Sequence, residues 1–295
     1  MRQVHTGFGR LHPFVNAFFF AIVLLTAMFA AHPAILVAGL LLSASYAQRC
    51  AGGKFWRQLL LTLPLMLFTA LINPLVSHQG VTVLFRFPSG NACTLESVLY
   101  GAASGVRLGT VLFWFLCWNA VMTSDKFVYL FGRVIPSLAL TISMGLRFVP
   151  YLLHRTRQVW QAQQCLLPSR RGLLPRIRAA GRVLSIVVTW ALENALDTAD
   201  SMKSRGYGLP KRSAFSLYHF TVQDGVALAI LALMGGGVLT GALTGGLAWQ
   251  FYPAISGAQG IAPCLWTAVY VILAAFPLFF EAKEALQWRA SQSSI

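Results

Sequence analysis

Acidic residues are nearly missing from this chain: 8 Asp and Glu stand against 23 Lys and Arg in 295 residues. Charged residues of both signs make up only 11%, whereas a water-soluble domain carries about a quarter, so an ordinary soluble fold is excluded. A phosphate loop of the form GxxxxGKS or GxxxxGKT is also missing. The GGK at 52–54 lacks the spacing and is followed by Phe55, so the chain has no nucleotide site of that kind. The five cysteines (Cys50, Cys93, Cys117, Cys165 and Cys264) form no CxxC pair, and none lies near a His at metal-ligand spacing. They read as scattered small hydrophobes, with no metal site and no cofactor. The histidines are dispersed near segment ends and loops, and the apolar runs hold almost no acids. An intramembrane enzyme would need a Ser/His pair, paired acids or a His cluster inside a span, so no catalytic residue is assigned. Strict period-2 alternation is lacking too, which excludes a membrane β-barrel.

What is present is apolar sequence. Hydrophobic residues reach 57% and mean hydropathy is +0.65. Several runs approach or exceed the roughly 20 residues that cross a hydrocarbon core of about 30 Å. The fold class expected is an all-α integral membrane protein, with about six membrane helices plus a cytoplasmic platform of long amphipathic coupling helices. The spans fall at Phe14 to Ala31, Ala34 to Tyr46, Leu59 to Val76, Leu95 to Met122, within Tyr218 to Trp249, and at Cys264 to Phe280. The MFAAHPA motif allows a signal-peptide reading of the first run. Pro33 lies close to where cleavage would fall and a second apolar run follows at once, so the run is kept as a membrane helix. The stretch 78–94 reads as an external loop with a short hairpin. The chain divides at 1–122, 123–212 and 213–295.

Orientation follows from the basic residues, which accumulate in cytoplasmic loops. Loops after the even spans hold Arg49, Lys54, Arg57, Lys126 and Arg133, whereas 78–94 and 250–260 hold only Arg86. Six spans then put both termini in the cytoplasm. The net charge of +15 reports this orientation and contact with the anionic lipid bilayer, not nucleic acid. Glycines recur every fourth residue at Gly101, Gly105 and Gly109, and again at Gly237, Gly241 and Gly245. Such a stripe admits close helix approach, either within the bundle or against another membrane protein.

Residues 123–212 differ from the rest, carrying 14 Lys and Arg in an amphipathic pattern. The run from Pro136 reads as one long helix, kinked at Pro150. From Pro175 a second helix places Ile177, Val183, Leu184, Val187, Val188, Ala191, Leu196 and Ala199 at helical spacing, with Glu193, Asp197 and Asp200 on another face. Each carboxylate would cost roughly 2–3 kcal/mol near the bilayer centre. The C-terminal half of this helix is therefore expected along the cytoplasmic face or projecting beyond it, its apolar stripe facing the rest of the protein and its acidic face meeting water. SDKFVYLFGRV, from Ser124, reads either as a shorter coupling helix or as an ordinary interfacial one. In ADSMKSRGYGLP, Gly206 is placed to end the long helix in the left-handed conformation, and Pro210 forbids continuation. Arg205 in the last turn suits the negative end of the helix dipole. It is equally suited to grip a carboxylate of a partner through two bonds.

The ending Ala-Asp-Ser-Met-Lys-Ser-Arg-Gly-Tyr-Gly at 199–208, with GLRFVP at 145–150, AQ at 162–163 and the proline-interrupted first pair of spans, resembles the transmembrane T component of energy-coupling factor (ECF) transporters. The likeness runs over most of the chain, and the ending is its specific element. The resemblance implies import of vitamins or metal ions across a prokaryotic inner membrane. It implies two ABC-type ATPase subunits as partners, together with a small substrate-binding membrane protein, the S component. In that family two Ala-Arg-Gly motifs at helix ends dock into the ATPases. The second maps onto Ser204, Arg205 and Gly206. Where the first would stand, this chain reads QCLLPSRRG: Leu166-Leu167 replaces Arg-Gly in register, and the nearest Arg-Gly is Arg171-Gly172, beyond Pro168. Either the contact has moved to Arg171 or that ATPase is held by apolar packing. The cargo (vitamin, cobalt or nickel) stays open. The alternative is a stand-alone secondary transporter or channel, for which Arg107 is the one ionisable candidate within a span.

Overall fold

The computed structural model describes residues 7–77, 80–86, 92–132, 135–166, 172–207, 218–257 and 260–292. They form two compact units, one of residues 1–126 and 218–295, the other of residues 127–217.

The first unit is a helix bundle. A 3-10 turn, Phe8–Arg10, precedes α1 (Pro13–Phe29), α2 (Pro33–Ala51), α3 (Gly53–Val76), α4 (Leu95–Val121), α8 (Val222–Leu243) and α9 (Ile261–Gln292). Prolines set the first boundaries. Pro13 and Pro33 each occupy the first turn, where the missing N–H costs nothing, and Pro33 disfavours helical backbone at His32. Gly52, at φ 52°, turns the chain between α2 and α3. Thr221 and Asp224 form a reciprocal capping box at the start of α8. Five of these helices are long and apolar enough to cross a membrane. The sixth, α1, has 17 residues, about 26 Å at 1.5 Å per residue.

Two short antiparallel hairpins lie at the same end of the bundle. One pairs β1 (Val83–Arg86) with β2 (Ala92–Thr94) in the expected loop, and the other pairs β3 (Trp249–Gln250) with β4 (Ser256–Gly257). Glu96, buried in the first turn of α4, ties the first hairpin down by accepting from the Thr82 amide (3.2 Å) and hydroxyl (2.8 Å).

The core is aromatic. Phe8 is fully buried and meets Phe19, Phe20, Tyr46, Phe276 and Phe280 edge-on, with ring centroids 5.1–6.5 Å apart. The stripe on α4 and two members of the second, Gly237 and Gly241, serve packing inside the bundle, whereas Gly245 lies past the end of α8 at φ 76° with open space around it. A Cβ on Gly101 would stand 2.5 Å from the Ala70 carbonyl oxygen, and one on Gly105 would stand 2.6 Å from that of Met66. On α8, Gly241 receives the indole of Trp266 and Gly237 faces Val269.

The second unit holds α6 (Pro136–Leu166) and α7 (Leu173–Ser204), and α5 (Ser124–Gly132) runs into it. α6 continues through Pro150, and α7 begins two residues before Pro175.

Candidate functional site

The 32 residues of α7 span about 48 Å, and α6 lies antiparallel to it. Their contact is narrow. Tyr151 meets Trp190 with ring centroids 5.0 Å apart, and the Arg155 guanidinium sits 5.2 Å from the Trp190 ring centroid. That cation–π contact anchors the crossing. Val183 and Val187 are buried beside it.

Most of the apolar stripe of α7 departs from expectation. Only Val183 and Val187 of that stripe are buried; Leu184 is 64% exposed, Leu196 70% and Ile177 70%. The stripe is wider than one antiparallel neighbour can cover, since a helix presents only a narrow seam to a single partner. α6 likewise exposes Leu138, Leu140, Ile142, Leu146, Val149 and Leu153. Glu193, Asp197 and Asp200 are exposed, as expected.

Between the first half of α6 and the last turns of α7 lies an open groove of about 600 Å³, lined by Met144, Phe148 and Tyr151 on one side and by Asn194, Ala195 and Met202 on the other. Gly145 and Ala199 keep its walls low. Large flexible thioethers beside small residues make a surface that adapts to a partner's side chains.

The groove runs towards the tip of α7. Arg205 closes the helix, and Gly206 stands at φ 70°. The Gly206 amide donates to the Lys203 carbonyl (3.0 Å) and the Tyr207 amide to the Met202 carbonyl (3.1 Å). This is the Schellman pattern, which needs a left-handed residue where Gly206 lies. Ser204 folds its hydroxyl back onto the Ser201 carbonyl (2.9 Å), and Arg205 is exposed. The cap fixes the backbone of the last turn, which carries Arg205. The structure thus brings Ser204, Arg205 and Gly206 together, whereas Arg171 lies outside the described residues.

Arg107 has a local explanation. Its Nη2 donates to the Ala30 carbonyl (3.3 Å) at the end of α1, where a cation offsets the helix dipole. That role argues against a transport residue. Among the described residues no group of three or more His, Cys, Asp or Glu could hold a metal ion.

Comparison with known proteins agrees with this architecture. The model of the CbiQ family, described as cobalt transport protein, matches residues 10–217. The energy-coupling factor transporter transmembrane protein EcfT of Lactobacillus helveticus is 32% identical over 110 residues, which is 36% of this chain and 40% of that protein. EcfT of Bacillus selenitireducens is 32% identical over 112 residues, 37% of this chain and 42% of its own length. An uncharacterized protein of Mycoplasma genitalium, MG181, is 34% identical over 96 residues, 32% of this chain and 23% of its own. The chain therefore spans less than half the length of the relatives it matches. With a family match over residues 10–217, a helical membrane bundle, and two long amphipathic helices of which α7 ends in a glycine-capped arginine, the chain belongs to the CbiQ family.

Proposed function

We propose that this chain is the transmembrane scaffold of an energy-coupling factor importer. In this reading two cytoplasmic ABC-type ATPases grip the ends of the α6–α7 unit. A separate substrate-binding membrane protein rests on its apolar faces and groove, and ATP-driven motion passes from the first to the second. Both termini and the α6–α7 unit face the cytoplasm, as the basic loops favour. The cargo, a vitamin or a metal ion such as cobalt or nickel, is selected by the substrate-binding partner.

The observation that carries this reading is the pairing, on one helix, of a cationic tip with a largely exposed apolar flank. Arg205 is held at a left-handed cap while Leu184 and Leu196 stay open. A guanidinium is permanently charged and grips a carboxylate through two parallel bonds, and exposed apolar helix faces of this extent mark interaction surfaces.

The test reverses the charge at the tip. Arg205→Glu should insert normally in the membrane yet lose co-purifying ATPases, and with them uptake. Arg205→Lys should keep part of both, since it retains the charge and loses the fork. An Arg205→Glu chain that still assembles and transports at the normal rate would sink the docking role.

A further inference from the structure

The chain passes between its two units at only two places, 126–127 and 217–218. On the bundle side, one short segment holds both.

Lys126 is the last residue before the first crossing, and it is only 7% exposed. Its Nζ donates to the carbonyls of Gly9 and Val121, the latter at 3.1 Å. The Asn16 amide completes the cage. An amide nitrogen cannot face an ammonium, so the side chain is oriented with its oxygen 3.2 Å from Lys126 Nζ and its nitrogen donating to the Phe8 carbonyl at 3.0 Å. Among the described residues no carboxylate lies within ion-pair distance of Lys126. It is held by carbonyl oxygens, one of them at the negative end of α4. Burial lowers its pKa to about 8.

The second crossing is held three residues further along the same segment. The His12 amide donates to Asp224 Oδ1 at 2.8 Å. Asp224 Oδ2 accepts from the Thr221 amide (2.9 Å) and hydroxyl (2.6 Å), and the His12 ring meets Phe220 edge-on at 5.2 Å. Burial and the nearby Asp125 carboxylate raise the pKa of Tyr218, the first residue after the crossing. The segment itself is firmly seated. Phe8 fills the aromatic core, and Arg10 pairs with Glu284 of α9 at 3.0 Å.

We propose that residues Phe8–His12 form a clamp joining both connections to one fixed point of the bundle, with Lys126 and Asp224 as its positioning residues. The inference rests on the reading of residues 127–217 as the coupling unit. A load arriving through either connection would otherwise bend its joint. With both joints tied to one segment, the load moves the bundle.

Two measurements test this on the full chain. In the first, hydrogen exchange is followed on the protein alone in detergent. Lys126→Met should speed exchange at its own joint and also at residues 219–225, and Asp224→Asn should likewise speed it at its own joint and at residues 121–128. Mid-helix amides of α4 should hardly change in either variant. Exchange that rises only beside each substituted residue overturns the clamp. The two variants are independent arms, so either alone decides if the other does not accumulate. In the second, the chain is reconstituted with its ATPases and substrate-binding protein in proteoliposomes, and uptake is divided by ATP hydrolysed. That ratio should fall roughly fivefold to a hundredfold, the range of a coupling free energy between sites, while hydrolysis persists. A parallel fall of both rates points to simple unfolding and counts against the clamp. If the unaltered chain binds no ATPase, the coupling reading fails, and the exchange measurement still judges the clamp.

Discussion

Replacing Gly105 by alanine puts the packing of α3 on α4 to a quantitative test. The added Cβ would lie 2.6 Å from the Met66 carbonyl oxygen and 3.4 Å from its carbonyl carbon. Ordinary contact begins at 3.4 Å, so the helices must separate by roughly 0.8 Å or the bundle must strain. The obstacle is a backbone carbonyl within α3, which cannot swing aside as a side chain would. Overpacking of this sort costs about 1–3 kcal/mol. Helix propensity works the other way, favouring alanine over glycine by about 1 kcal/mol. Gly236 supplies the control, since a Cβ there meets nothing within 4 Å. Both variants gain the same propensity, so the difference between them, about 1–3 kcal/mol, is steric. Thermal unfolding in one detergent, followed by circular dichroism, measures it: Gly105→Ala should melt below the unaltered chain and Gly236→Ala at or above it. Equal melting temperatures for the two variants would refute the close backbone contact.

Phe8→Ala should cost about 3–5 kcal/mol, because a fully buried ring leaves a cavity among five aromatic partners; a melt no lower than that of an exposed Phe14→Ala control would contradict this. Glu96→Ala leaves the amide and hydroxyl of Thr82 without their acceptor, at about 1–3 kcal/mol. Proteolysis within residues 80–94 should then quicken while the helices stay protected. Lys126 gives a pH signature. Below pH 8 folded and unfolded chains both hold its proton and the burial penalty is full; between pH 8 and 10.5 the folded chain has released a proton that the unfolded chain keeps. Stability from this residue therefore rises with pH across that window. The melting-temperature difference between the unaltered chain and Lys126→Met should shift towards the unaltered chain over the same range, and a flat difference would mean the ammonium is not desolvated.

Much of the architecture was readable from residue order because it depends on local chemistry. Apolar runs of span length, Pro136 at the start of α6 and the hairpin between the third and fourth spans appear where periodicity and turn residues put them, whereas α7 begins two residues ahead of Pro175. The end of α7 follows from ADSMKSRGYG, since only a residue tolerant of positive φ closes a helix as Gly206 does. The capping box at Thr221 and Asp224 was also legible in principle, as Thr-x-x-Asp before an apolar run.

Partner choice is a different matter. The glycine stripes were compatible with contacts inside the bundle or outside it, and only the approach of Met66, Ala70 and Trp266 decided for the inside. Periodicity marked an apolar stripe on α7 and could not say that most of it would stay uncovered, because hydrophobic spacing names a face and not what meets it. The groove likewise depends on which residues of α6 and α7 come to face each other.

The amino-acid order by itself determined that the chain is a helical membrane protein, roughly where its apolar helices lie, and that a cationic tip closes α7; the end of α2, the start of α3 and the start of α7 fall elsewhere than expected. What it did determine follows from hydrogen bonding and apolar solvation within a few turns of chain. Tertiary structure alone decided that Lys126 and Asp224, 98 positions apart along the chain, are held by the same five residues near the N-terminus, and that Arg107 caps α1. Such contacts join groups with no local pattern in common, brought together only when the helices pack.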